Sequence, residues 1–217
     1  MHPPLNSSLN VYLKLEAVNP TGYYKDRMDK SMIEEAERCG ALKPGMTVVE
    51  ATGEAPTHAP PSHPEFMPDL MLSMIRRARE IADAGVESYY FTNQFSNRDA
   101  LVGYEAIGQE LVRQFLDRID AFCGAVGSAG MIMGVSRVLK NKRSDRTSVV
   151  VLELASSPFI TKGQLGPHAV DGIGTGLSRI LTGPFTMKHV AYQRRRMEDV
   201  STAREGGGIA FWYVYQA

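Results

Sequence analysis

The run from Ile119 to Glu153 constrains the fold more than any other part of the chain. Ile119-Asp120-Ala121-Phe122-Cys123-Gly124-Ala125-Val126 is an apolar strand, and it leads through Gly127-Ser128-Ala129-Gly130 into a helical segment reaching Lys140. Thr147 to Glu153 is then a continuous Val/Leu run, the type of strand buried on both faces of a parallel sheet. Two such strands joined by a helix cannot be a hairpin; they form a crossover unit of a parallel sheet. An α/β fold is therefore expected.

The rest of the chain repeats the alternation. Residues 9–16 carry Val, Tyr and Leu in partial alternation and predict a strand, which Asn19-Pro20-Thr21-Gly22 ends in a turn. From Lys25 to Cys39 the positions Met28, Met32, Ile33 and Ala36 recur at helical spacing. Gly40 stands where a C′ residue belongs, and Lys43-Pro44-Gly45 stops continuation. Met46 to Glu50 predicts a short buried strand. Residues 53–68 hold five prolines, and proline both removes a donor and restricts its predecessor, so this stretch predicts an extended linker. A helix follows Pro68, with Met71, Met74, Ile75, Ala78, Ile81 and Ala82 on one face and Gly85 past its end. Tyr89 to Thr92 predicts a strand. Arg98 to Asp117 predicts a helix presenting Leu101, Tyr104, Ile107, Leu111 and Phe115. No internal repeat is present.

Charge and cysteine usage narrow the function classes. In 217 residues, 24 Lys and Arg balance 24 Asp and Glu, which argues against a nucleic-acid-binding or membrane-surface protein. No basic segment followed by an apolar run opens the chain, and no stretch is long and apolar enough to span a bilayer, so a cytoplasmic protein is expected. Cys39 and Cys123 cannot form a disulfide framework and read as small core residues. His58 and His63 lack further ligands at metal-binding spacing, so no metal site is expected. Arg194-Arg195-Arg196 reads as a solvated face. Phe211-Trp212-Tyr213 would be an exposed, adhesive end unless it pairs as a strand.

Two features point to chemistry. A small-residue loop between a strand and a helix, such as Gly127-Ser128-Ala129-Gly130, can turn backbone N–H groups toward an anion with the helix dipole behind them. A tight turn without a ligand is the alternative. Gly172-Ile173-Gly174-Thr175-Gly176 is weaker as a dinucleotide fingerprint, because its third glycine is misplaced and no clear strand precedes it. Lys25 begins a helix, where a cation is disfavoured, so its position invites a use such as Schiff-base formation; an exposed lysine is the alternative.

Taken together, these pieces resemble the cysteine synthase group, fold-type II pyridoxal-phosphate enzymes related to cystathionine β-synthase and the tryptophan synthase β chain. Lys14-Leu15-Glu16, Asn19-Pro20-Thr21-Gly22 and Lys25-Asp26-Arg27 carry the resemblance first. Met32 to Glu37, Leu42 to Thr52, Asn93-Gln94-Phe95-Ser96-Asn97, Gly103 to Gly108, Asp120 to Gly134 and Gly172-Ile173-Gly174 continue it. It implies a three-layer αβα, tryptophan synthase β-like fold with the smaller domain incomplete. Residues 1–117 would be the remnant of the smaller mobile domain and 118–217 a shortened cofactor-phosphate-binding domain. It further implies that Lys25 is the Schiff-base lysine of pyridoxal 5′-phosphate. Gly127, Ser128, Ala129 and Gly130 would cradle the phosphate, Gly172 and Gly174 would face the cofactor, and Gln94 would hold a substrate carboxylate. The implied reaction is β-replacement on an O-activated serine by a sulfide-like nucleophile, with β-elimination and a non-catalytic remnant as alternatives. The family is usually homodimeric.

The sequence also departs from the family. Met131 replaces the threonine that usually closes the phosphate loop, and the Pro/His linker stands where a substrate-carboxylate loop of Ser/Thr-Gly-Asn type belongs. After Ala203 to Ile209 the chain ends without the serine that normally meets the pyridine nitrogen, and the usual upstream Thr-Pro-Leu segment is absent. A fragment or rearranged gene product, with residues 54–66 as an out-of-frame scar, is the corresponding expectation.

Overall fold

The computed structural model describes residues 10–51, 68–143, 147–167, 173–174 and 213–216. Strand β4 (Ala121–Ala125), helix α4 (Gly130–Arg143) and strand β5 (Ser148–Leu152) form the expected crossover unit. β4 and β5 run parallel, in register from Ala121 opposite Ser148 to Ala125 opposite Leu152. Strand β6 (Tyr213–Gln216) lies antiparallel between β1 (Asn10–Leu13) and β4, giving the sheet order β1-β6-β4-β5. The backbone at Tyr213 is thus paired, whereas Phe211 and Trp212 lie outside the described residues.

Three helices build the core against this sheet. α1 (Lys25–Arg38) buries Met28, Met32 and Ala36, spaced four apart on one stripe. α3 (Asp99–Gln114) lies between α1 and α4, and glycines set its approach to both. A Cβ on Gly103 would stand 1.9 Å from the Arg27 carbonyl oxygen, and one on Gly134 of α4 would stand 2.6 Å from Tyr104 Cβ. Only a missing side chain lets these backbones come so near. Ser31 ties the same α1–α3 crossing, with its Oγ 2.8 Å from the Asp99 carbonyl oxygen and accepting the Gly103 N–H at 3.1 Å. Phe122, Ile132, Val135 and Leu139 fill the space between helices and sheet and are almost wholly buried.

A second parallel unit comprises β2 (Thr47–Val49), α2 (Pro68–Ala84) and β3 (Tyr89–Phe91), with Thr47 opposite Tyr89 and Val49 opposite Phe91. The stripe expected on α2 is the one observed, with Met71, Met74, Ile75, Ile81 and Ala82 half-buried and Ala78 buried. The linker expected at 53–68 lies outside the described residues, apart from Pro68, which opens α2.

Three expectations need correction. β2 is not buried: Val48 is 44% exposed, because among the described residues its sheet holds only two strands and α2 covers them from one side. β5 is not buried on both faces either. Val149 and Val151 are buried in the core built with the helices, but Val150 and Leu152, which point to the other face, are half-buried. Cys39 is exposed rather than in the core. It is the C-cap of α1, donating its backbone N–H to the Glu35 carbonyl at 3.0 Å, and lies past the stripe that packs on α3. Cys123 is half-buried in β4, and burial pushes its thiol pKa up. No helix among the described residues is long and apolar enough to cross a membrane.

Candidate functional site

The loop between β4 and α4 forms a shallow, open hollow, lined by Ala125 and residues 127–132 together with Tyr24 and Tyr104. Its character follows from how α4 begins. The Ala129 carbonyl opens the helix ladder, accepting the Met133 N–H at 3.0 Å. The N–H groups of Gly130, Met131 and Ile132 precede that bond and have no acceptor within the helix. They sit at the positive end of a 14-residue helix, on the rim of the hollow. Ala129 has φ +69°, a left-handed conformation unusual for a residue with a side chain, which gives the loop its sharp turn. A Cβ on Gly130 would lie 2.9 Å from Tyr104 Cε2, so glycine lets the Tyr104 ring pack against the loop backbone. Among the described residues no carboxylate lines it. Neutral N–H donors, the Ser128 hydroxyl and a helix N-terminus fit a phosphate group.

The segment that delivers Lys25 to this region is closed by its own polar contacts. Asn19 Nδ2 lies 2.9 Å from the Glu16 carbonyl oxygen, 2.8 Å from Glu16 Oε2 and 3.0 Å from the Tyr23 carbonyl oxygen. Asp26 accepts the Thr21 N–H at 2.8 Å and the Thr21 hydroxyl. α1 therefore starts without a capping side chain at Tyr24, because Asp26 reaches back to the turn instead. Lys25 is half-buried at the first position of α1 and does not itself line the hollow; Tyr24 before it does, its ring 5.8 Å from that of Tyr104.

The structure thus brings the turn ahead of Lys25 to Gly127, Ser128, Ala129 and Gly130. Gly174 joins them, its N–H donating to the Val126 carbonyl at 2.9 Å with φ +67°. Gly172 lies outside the described residues, as do His58, His63 and Arg194 to Arg196. Gln94 does not line the hollow. It follows β3, donating its side-chain amide to the Ala51 carbonyl at 3.0 Å and its backbone N–H to Glu50 Oε2 at 3.0 Å. The Thr92 hydroxyl donates to the same carboxylate oxygen. Among the described residues no group of three or more His, Cys, Asp or Glu is placed to hold a metal ion.

A charged network behind Lys25 carried no sequence-based assignment. Arg27 Nε and Nη2 each donate to Glu16 at 3.0 Å, and Nη1 and Nη2 donate to Glu110 at 2.5 and 3.1 Å. Lys14 Nζ donates to Glu110 Oε2 at 2.5 Å. The hydrogen bond from Arg27, helped by that from Lys14, pulls the Glu110 carboxyl down to about 2, and the same Glu110 bond pushes the Arg27 guanidinium up. The signal for Glu110 was present: it lies three residues after Ile107 and seven after Gly103, beside the inward stripe of α3. A charge there needs a partner.

The model of the family described as pyridoxal-phosphate dependent enzyme matches residues 69–205, a span that contains Gln94 and the 127–130 loop but not Lys25. A cysteine synthase of Staphylococcus aureus is 34% identical over 205 aligned residues, covering 79% of this chain and 65% of the relative. A cysteine synthase of a Flavobacterium species is 29% identical over 204 residues, covering 79% and 66%. The chain therefore spans about two thirds of the length of these curated relatives. Among solved structures, O-acetyl serine sulfhydrylase isoform 3 from Entamoeba histolytica superposes with a TM-score of 0.63 at 27% identity, over 75% of this chain and 58% of that one. The cysteine synthase of the same organism gives 0.64 at 24% identity, over 75% and 57%. These likenesses establish the α/β, tryptophan synthase β-like fold.

Proposed function

The chain belongs to the family of pyridoxal-phosphate dependent enzymes, and from that premise we propose that it catalyses β-replacement on an O-activated serine, such as O-acetylserine, with sulfide as the nucleophile. The observation carrying this reading is the juxtaposition of the turn before Lys25 with a loop that presents the first N–H groups of a helix, which have no acceptor within that helix. In it the N–H groups and Ser128 hydroxyl of the 127–130 loop receive the phosphate oxygens. Lys25 would hold the cofactor through its amine, and Gly174, with Gly172 by the sequence resemblance, would face it. Pyridoxal phosphate, when bound, supplies an electron sink for the charge that develops at the substrate α-carbon. Once its amine is released, Lys25 acts as the general base that takes the α-proton and as the acid that returns it. Gln94 orients the substrate carboxylate. Its amide has a second hydrogen beyond the one given to Ala51, and that hydrogen is the donor available.

This reading includes a second copy of the chain as partner in a homodimer and a cytoplasmic setting. The supporting fact for an enzyme of this reaction class is the 34% identity to a cysteine synthase. The test is to incubate purified chain with pyridoxal phosphate, O-acetylserine and sulfide, and to measure cysteine and pyruvate. Cysteine that requires both Lys25 and sulfide supports the proposal. Pyruvate formed without sulfide consumption replaces it with β-elimination. A Lys25-dependent visible band with neither product reduces the chain to a cofactor-binding remnant.

A further inference from the structure

Arg27 is the third residue of α1, two positions after Lys25, and its guanidinium is gripped from two sides. Glu16, only 2% exposed, holds it from the chain ahead of the turn, and Glu110 holds it from α3. Lys14 completes the group, 2.5 Å from Glu110 and 3.5 Å from Glu16, so two cations face two carboxylates. None of the four lines the hollow, and their charged groups are engaged with one another. What they join are the two ends of the 17–26 segment and the helix that also carries Tyr104, a wall of the hollow. A planar guanidinium held by paired bonds fixes direction as well as distance, which a single ammonium contact does not.

We propose that Glu110 is a positioning residue that, through the Arg27 fork, sets the Lys25 amine in register with the 127–130 loop. This rests on the reading of Lys25 as the cofactor-bearing amine. The network's charges cancel locally, so its contribution is geometric: it fixes α1 to the wall of the hollow in one orientation.

The test compares two aldehydes on the full chain, pyridoxal 5′-phosphate and phosphate-free pyridoxal. In each case the Lys25 amine condenses with the aldehyde and releases water. Borohydride then delivers hydride to the carbon of the C=N bond while water protonates the nitrogen, and the secondary amine at Lys25 is quantified by peptide mass. The phosphorylated aldehyde reads the fit between amine and loop, whereas pyridoxal reads the amine alone. Their labelling-rate ratio therefore isolates register. Glu110→Gln is expected to lower that ratio roughly tenfold or more, the scale of a misplacement near 1 Å. Glu110→Asp, which keeps the charge, should recover part of it. Val149→Ala, a core change remote from the network, should lose stability and keep the wild-type ratio. If wild-type protein shows no preference for the phosphorylated aldehyde at Lys25, the cofactor reading itself fails. If it shows the preference and folded Glu110→Gln retains it, the positioning role is overturned while the cofactor reading stands. Should Glu110→Gln not fold, Arg27→Lys decides: a reduced ratio supports the role and an unchanged one overturns it.

Discussion

Gly103→Ala tests whether α1 is held where the structure places it. The added Cβ would stand 1.9 Å from the Arg27 carbonyl oxygen, 2.5 Å from its carbon and 2.7 Å from Ser31 Oγ. The first of these is about 1.5 Å short of a comfortable contact. A side-chain tip could swing away, but two of the three atoms are backbone, so α1 must move off α3. Overpacking of this kind costs about 3 kcal/mol, at the upper end of the usual range because the obstacle is rigid. Alanine returns about 1 kcal/mol through its better helix propensity. The net expectation is a loss of about 2 kcal/mol, or about 1 M in urea midpoint at an ordinary m-value. Gly108→Ala is the comparison, since its Cβ would meet the Val138 side chain at 2.8 Å and the Val135 carbonyl oxygen at 3.1 Å, a lesser intrusion on backbone. Urea unfolding followed by circular dichroism ranks the two. A Gly103→Ala protein as stable as wild type, or more stable than Gly108→Ala, would refute the close α1–α3 crossing.

Further outcomes follow from the same contacts. The Glu110 carboxyl is held near 2, below its unfolded value, so its stabilisation is fully present above about pH 5 and is lost as pH falls toward 2; Glu110→Gln should flatten that part of the acid-unfolding curve. Glu16→Gln removes one charge of a buried pair and should cost about 3 kcal/mol in urea unfolding, far more than an exposed pair such as Arg77–Glu80, worth about 0.3 kcal/mol. Ala129→Gly relieves a left-handed alanine but removes a methyl that is only 4% exposed, worth about 0.8 kcal/mol, so the two effects should nearly cancel and leave the melting temperature close to that of wild type. A fall as large as that expected for Gly103→Ala would contradict the left-handed loop geometry.

The parts of the fold visible in the sequence were those set by local rules. The α2 stripe, the Gly40 stop and the β4–α4–β5 unit follow from periodicity, caps and strand composition, and each stands as expected. Exposure was less legible, because it depends on what packs over an element. Val48 and Cys39 carry apolar character in the sequence but lie where little covers them. Of the site, the 127–130 loop could be read from its small residues between strand and helix. Glu16, Arg27 and Glu110 could not be assembled that way, since Arg27 and Glu110 are 83 positions apart and meet only through the α1–α3 crossing. Tyr104 could be placed on the inward face of α3 by spacing, but its role as a wall of the hollow requires α4 to be in place.

Covalent trapping at position 25 examines the central claim most directly. Pyridoxal 5′-phosphate added to folded protein and reduced with borohydride should leave one stoichiometric phosphopyridoxyl group, found by peptide mapping on Lys25 and suppressed by excess inorganic phosphate. A label spread over several surface lysines, or one unaffected by Lys25→Ala, would contradict the pairing of this amine with the anion-binding loop.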